Sequence, residues 1–246
     1  MTQLAKKLAP SPTLARVLPF VVFLGLTFLQ GKFGEASRYW FYLSKTLVGL
    51  WMLWSLRTLL VEMKWVFSWE AVVLGVVVFI LWVGLDGFYP TLDELYQKFI
   101  CPLLQRLGLA KCNPESTEPV KLWNPHTQFG ANAALAWFFI VVRLFGSAVV
   151  VPPMEEVFFR SWLYRNLVKP DFQNVSLGGF FLSPFVWTSV VFGFEHHEWL
   201  PGILCGLAYQ GLVCWKKRLG DAITAHAITN LLLGLWVVTR GAWKFW

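Results

Sequence analysis

Two adjacent carboxylates, Glu155 and Glu156, open the stretch EEVFFR, directly after an apolar run and the pair Pro152-Pro153. On a helix Glu156 and Arg160 are i and i+4, about 5–6 Å apart at Cβ, with the acid ahead of the base as such pairs prefer. Glu155 lies roughly 100° round the same helix and has no local cation on its face. The two acids therefore have unequal surroundings. Arg160 can hold Glu156 ionised, whereas Glu155 is free to be desolvated, which suits a carboxylate to general-base work. Taken alone, the cluster reads equally well as a hydrated interfacial ion group, because glutamates at a helix start complement the helix dipole.

The histidines narrow the chemistry. The chain has four, and three of them, His196, His197 and His226, fall in its last third. In FGFEHHEW, Phe192 and His196 are i and i+4 and share a face. In HAITN, His226 and Asn230 share a face in the same way, on a helix that is otherwise apolar. A lone histidine there is most simply a hydrogen-bonded core residue, and a His/Asn pair a weak interhelical bond of about 0.6 kcal/mol. Taken together, a carboxylate with an imidazole could deprotonate water, and a second imidazole with an amide could hold a tetrahedral oxyanion.

The elements that must position these groups are membrane helices. Hydrophobic residues make up 57% of the 246 positions and charged residues 14%, with a mean hydropathy of +0.55. A soluble domain carries about 25% charged residues, so this chain has too few to coat a globule. The basic residues behind the formal charge of +7 sit in short clusters, Lys6-Lys7 with Arg16, Lys32 with Arg38, and Lys216-Lys217-Arg218. That is the pattern of juxtamembrane charge facing lipid headgroups, and no motif for reading nucleic acid accompanies it.

Apolar runs of about 20 residues predict spans over roughly 14–31, 39–60, 69–88, 130–151, 180–197, 199–215 and 221–239. The segment 153–168 is either an eighth span or a continuation of the preceding helix past a Pro152-Pro153 kink. The fold class is all-α, a polytopic bundle of seven or eight spans. It forms a single integral membrane domain over 1–246, with N-terminal spans and a polar loop in 1–129 and the chemistry-bearing helices in 130–246. With seven spans, the N-terminus, the Arg57–Lys64 loop and Lys216-Lys217-Arg218 all lie on the cytoplasmic side, whereas an eighth span would put the last of these outside. The first apolar run follows a basic N-terminus without a convincing cleavage site and reads as an uncleaved anchor. Within the long connection 89–129, LDELYQKFICPLLQRLGL has the spacing of an interfacial amphipathic helix. Cys101 and Cys112 flank this loop and could bridge in an oxidising compartment. Free thiols are the expectation for all four cysteines.

The ordered set EEVFFR, FGFEH and HAITN resembles the EExxxR, FxxxH and HxxxN motifs of the CAAX-protease and bacteriocin-processing family, which is similar to the Rce1-type CAAX prenyl endopeptidase. The likeness covers roughly the last hundred residues. The stretch FYPTLDELY looks like the CAAX-protease-related subgroup found beside bacterial exosortase sorting systems. The resemblance implies an intramembrane endopeptidase of the plasma (inner) membrane that meets lipids and a membrane-associated protein or peptide, prenylated or bearing a sorting signal. It implies that Glu155 and His196 activate water, His226 and Asn230 form an oxyanion hole, and Glu156 and Arg160 support them. Placing His197 beside His196 departs from the pattern and leaves two imidazoles to choose between. No HExxH zinc motif is present, and metal-free catalysis is the expectation. The same Glu155, His196 and His226 could instead hold a divalent ion such as zinc.

Two other classes compete. A non-proteolytic scaffold or immunity protein of the same fold would need no oxyanion donors, yet every motif residue is present. A proton-coupled transporter would spread its polar residues along a path or show inverted repeats, and neither occurs.

Overall fold

The structure, a computed structural model, describes residues 1–109 and 122–246. Among these there is no strand, and the chain is all-α. A short helix α1 (Gln3–Leu8) leads into the rods α2 (Pro12–Phe28), α3 (Ser37–Leu56) and α4 (Trp69–Gly84). Next come the short α5 (92–106) and α6 (Pro125–Phe129). The remaining rods are α7 (Ala134–Val168), α8 (Leu182–Phe194), α9 (Trp199–Lys216) and α10 (Gly220–Arg240). Local chemistry marks their ends. Ser11 caps α2 by accepting from Leu14 N, and Pro12 follows at the first helical position, where a missing amide hydrogen costs nothing. Thr91 and Glu94 form a capping box at α5. Gly241 ends α10 at φ 64°, a left-handed conformation that glycine adopts without strain.

The segment 153–168 continues the preceding helix: α7 runs unbroken for 35 residues. Two π-helical turns, Gly146–Val150 and Val157–Leu163, flank the short α-helical stretch Val151–Glu156. Prolines explain the first. Pro152 and Pro153 have no amide hydrogens for the ladder, and a wider turn absorbs the mismatch. Among the described residues, the two rods long and apolar enough by themselves to cross a bilayer are α7 and α10. Exposed Trp, Phe, Val and Leu side chains are distributed over α2, α3, α4 and α8. Such an apolar outer surface suits a lipid solvent.

The core lies where α4, α7, α8, α9 and α10 meet, around Phe159, Phe192, Tyr209 and Ile223. Small residues let these helices approach closely. A Cβ on Gly75 of α4 would stand 2.6 Å from the Ala225 carbonyl of α10, and one on Gly202 of α9 would stand 2.9 Å from Gly193 Cα of α8.

The rods give the bundle two chemically distinct ends. At one, Lys216 Nζ meets Glu70 Oε1 at 2.7 Å, and both Arg218 and Ser68 bond Asp221. The other end carries the α8–α9 turn, Lys244 paired with Asp86, and the Trp199 indole donating to the Pro90 carbonyl. Segment α5 lies beyond α4, at this second end, and leaves Phe99, Ile100 and Leu103 exposed. Cys101 within it is disulfide-bonded, which corrects the expectation of free thiols. Cys205 and Cys214 are free, and Cys112, Glu115 and Glu118 lie outside the described residues.

Candidate active site

Glu155, Glu156 and Arg160 all turn inward from α7. Glu156 is 0% and Arg160 1% exposed, so this cluster is core rather than interface. Arg160 Nε stands 3.2 Å from Glu156 Oε2, the i,i+4 pair that the spacing predicts. Its guanidinium also lies over the Phe192 ring at 4.2 Å. Cation–π contact of that kind offsets part of the desolvation of a buried cation.

The second oxygen of Glu156 is turned to α10. Oε1 meets His226 Nδ1 at 3.0 Å, and Glu155 Oε2 approaches His226 Nε2 at 3.8 Å from the other side. Both carboxylates therefore converge on His226. Tyr209 of α9 stacks on the ring with centroids 5.3 Å apart, while its hydroxyl donates to Thr229 Oγ1. Thr229 in turn donates to the Gly75 carbonyl, which links α10 to α4. The imidazole is thus fixed in plane by a stacked ring and in rotation by a carboxylate.

His196 sits in the turn after α8. Its Nδ1 lies 2.9 Å from the Phe192 carbonyl, and the edge of Trp82 packs against it at 5.3 Å. With one nitrogen on a carbonyl acceptor, Nδ1 carries the hydrogen and Nε2 is left basic. Asn230 Nδ2 donates to the Ser147 carbonyl at 2.9 Å. The π turn accounts for that acceptor. Val151 N–H bonds Gly146 O, and the next residue, Pro152, has no hydrogen to offer Ser147. One amide hydrogen of Asn230 fills the vacancy and the other is left over.

These groups border a cavity of about 260 Å³ lined by His196, His226, Asn230 and Ser147, and also by Trp82, Glu195 and Arg143. His197 lines it too, and extends into a more polar vestibule of about 580 Å³ with Asp86, Asp93, Glu94 and Glu198. Sequence reasoning passed over Trp82, Glu195 and Arg143. Arg143 was legible, as a lone cation inside an apolar run, whereas Trp82 is one of fifteen tryptophans and carries no signal. Among the described residues no group of three or more His, Cys, Asp or Glu side chains gathers in a way that could hold a metal.

Residues 135–232 match the family model described as type II CAAX prenyl endopeptidase Rce1-like. The match starts one residue into α7 and ends within α10, so both acids, Arg160, His196, His226 and Asn230 fall inside it. No curated protein and no solved structure matches the chain.

Proposed function

We propose, from the match of residues 135–232 to the Rce1-like family model, that the chain is a membrane-embedded peptidase of the CAAX type and hydrolyses peptides within the bilayer by a specific mechanism. Glu155, with the basic Nε2 of His196, takes a proton from water as its oxygen adds to the scissile carbonyl. His226, set between two carboxylates, and the spare amide hydrogen of Asn230 donate to the oxyanion that forms. The proton held by Glu155 then passes to the departing amine as the C–N bond breaks. Glu156 and Arg160 do not touch substrate. They hold His226 in place. No step calls for a metal ion.

The observation that carries this reading is the meeting of Glu155 and Glu156 with His226, at 3.8 and 3.0 Å, beside a cavity shared with His196 and Asn230. An apolar groove between α2 and α8, lined by Phe20, Leu24, Phe158 and Val191, reaches Glu195, which also lines the cavity. A membrane-held substrate, prenylated or carrying a sorting signal in its own span, could enter there from the lipid.

In this proposal the whole chain is one multi-pass domain of the plasma (inner) membrane. The basic end, with Lys216 to Arg218, faces the cytoplasm. The cavity mouth, with His197, Glu198 and Lys244, and the disulfide-bonded Cys101 face the opposite, oxidising side. The test is cleavage of candidate membrane-protein substrates in cells by Glu155→Gln, His196→Ala and His226→Ala. Full processing by all three, with normal protein levels, would rule the mechanism out.

A further inference from the structure

Lys45 is a cation buried in the bundle, and the mechanism above gives it no task. It stands on the inward stripe of α3 with Tyr42, Thr46 and Gly49. That stripe packs directly on α7. A Cβ on Gly146 would lie 2.7 Å from Thr46 Oγ1, and one on Gly49 would lie 2.8 Å from Val150 Cγ1 and 3.3 Å from Met154 Cε. Glu155 follows Met154, so Lys45 belongs to the helix that packs against the proposed base.

The lysine is 6% exposed. Its Nζ donates to Thr27 Oγ1 of α2 at 2.9 Å and lies over the rings of Phe23 and Tyr42, 4.4 and 4.6 Å from their centroids. Tyr42 in turn lines the cavity. None of these partners carries a negative charge. A buried cation held only by a hydroxyl and two rings is expensive, and inside a span such a residue marks function.

Glu155 has the complementary need. Four charges act on it: Glu156 and Arg160 from its own helix, Glu195 from the turn after α8, and Lys45 from α3. His226 faces it from α10 at 3.8 Å. Glu156 and Glu195 repel a carboxylate charge, and Arg160 is committed to Glu156. The cation left to Glu155 is Lys45.

We propose that Lys45 is a positioning residue of this peptidase, the counter-charge from α3 that keeps Glu155 ionised and ready to take a proton from water. This rests on the proteolytic reading above and adds a residue to it. The two charges need not touch, because a packed interior screens poorly. Distance also suits the task. A direct ion pair, like that of Glu156 with Arg160, would occupy carboxylate oxygens that must reach water.

A double-mutant cycle tests the coupling without any appeal to cleavage. Melting temperatures in detergent are measured for the unaltered protein, Lys45→Met, Glu155→Gln and the double variant. Lys45→Met should lower the melting temperature more when Glu155 is present than when glutamine replaces it, by at least about 3 °C. Turnover of a membrane-protein substrate that the unaltered protein cleaves gives the second readout. Lys45→Met should lower kcat ~10-fold with KM unchanged, short of the loss of the base itself. Lys45→Arg should keep most of the activity. Adding Glu195→Gln to Lys45→Met should recover part of it, because one repelling charge is gone. A lysine that only ties α3 to Thr27 would give equal shifts in both backgrounds and no recovery. Equal shifts, or full turnover by Lys45→Met, would overturn the proposal. Unequal shifts in a protein that cleaves nothing would leave the charge coupling standing and count against the proteolytic reading alone.

Discussion

Glu156 Oε1 and His226 Nδ1 lie 3.0 Å apart across a separation of 70 residues, and neither side chain is more than 4% exposed. The same carboxylate pairs with Arg160 through its other oxygen. One buried acid thus serves two cations, or one cation and an imidazole, and ties α7 to α10. Removing it should leave Arg160 uncompensated in the core. Glu156→Ala is therefore expected to cost about 3–5 kcal/mol, the usual effect of breaking a buried pair from one side. The double variant Glu156→Ala/Arg160→Met should recover much of that loss, because the orphaned charge is gone as well. Thermal unfolding in detergent measures both. A single variant no less stable than the double would show that the pair does not act as described.

Glu155 behaves differently because its contact with His226 Nε2 is longer, at 3.8 Å, and Arg160 pairs with Glu156 and not with it. Glutamine has the same shape and would leave fewer charges to desolvate. Glu155→Gln should keep the melting temperature at or above that of the unaltered protein while lowering turnover by about 10²–10⁴, the range for a lost general base. Activity and melting curves taken on the same preparation separate these effects. A variant that is stable and fully active would exclude Glu155 from proton transfer.

The sequence made some of this legible and not the rest. The i,i+4 rule put Glu156 beside Arg160, and the π turn after Glu156 did not break that contact. Composition and run lengths located all the long rods, with ends a few residues off where the helices stop before the apolar run does. Periodicity fixes which face a residue occupies but not which face it meets. The meeting of Glu156 with His226 comes from how closely α7 and α10 pack, and no local spacing encodes it. Asn230 shows the same limit. Its partner is a backbone carbonyl freed by a proline 78 residues earlier, so the donor and the vacancy it fills are unrelated in sequence. Arg143 was visible as a charge inside an apolar run, but its aromatic surround, drawn from Tyr42, Trp123 and Trp246, exists only in the fold.

Asn230→Ala should act on stability and on turnover by separate routes. The Ser147 carbonyl loses its donor, a buried loss of about 1–3 kcal/mol. If the spare amide hydrogen serves the oxyanion, kcat falls a further 10²–10³ with KM little changed. The discriminating measurement is kcat against KM in Asn230→Ala at a temperature well below its melting point. A change in stability alone would leave Asn230 as a structural anchor for the π turn and remove it from the mechanism.

Chelation addresses the metal question directly. His226 directs Nδ1 at Glu156, and in the proposed mechanism Glu155 and His196 activate the water without a metal ion. Incubation of purified protein with EDTA or 1,10-phenanthroline should therefore leave turnover unchanged. Loss of activity that zinc restores would replace the oxyanion roles of His226 and Asn230 with a metal-bound water.

The two ends of the bundle predict where substrate is met. Positive charge collects near Lys216, Lys217 and Arg218, whereas Glu198, Lys244 and the disulfide-bonded Cys101 share the end at which the cavity opens. Lys and Arg bias loops toward the cytoplasm, and disulfides persist on the other side of the membrane. Both arguments place the cavity mouth away from the cytoplasm. Single cysteines at Lys217 and Lys244, introduced with Cys101, Cys112, Cys205 and Cys214 all replaced by serine, should respond oppositely to a membrane-impermeant maleimide applied to intact cells. Lys244→Cys should label at once and Lys217→Cys only after the membrane is opened. The reverse pattern would turn the cavity to the cytoplasm and make cytoplasmic peptide tails the substrates to test.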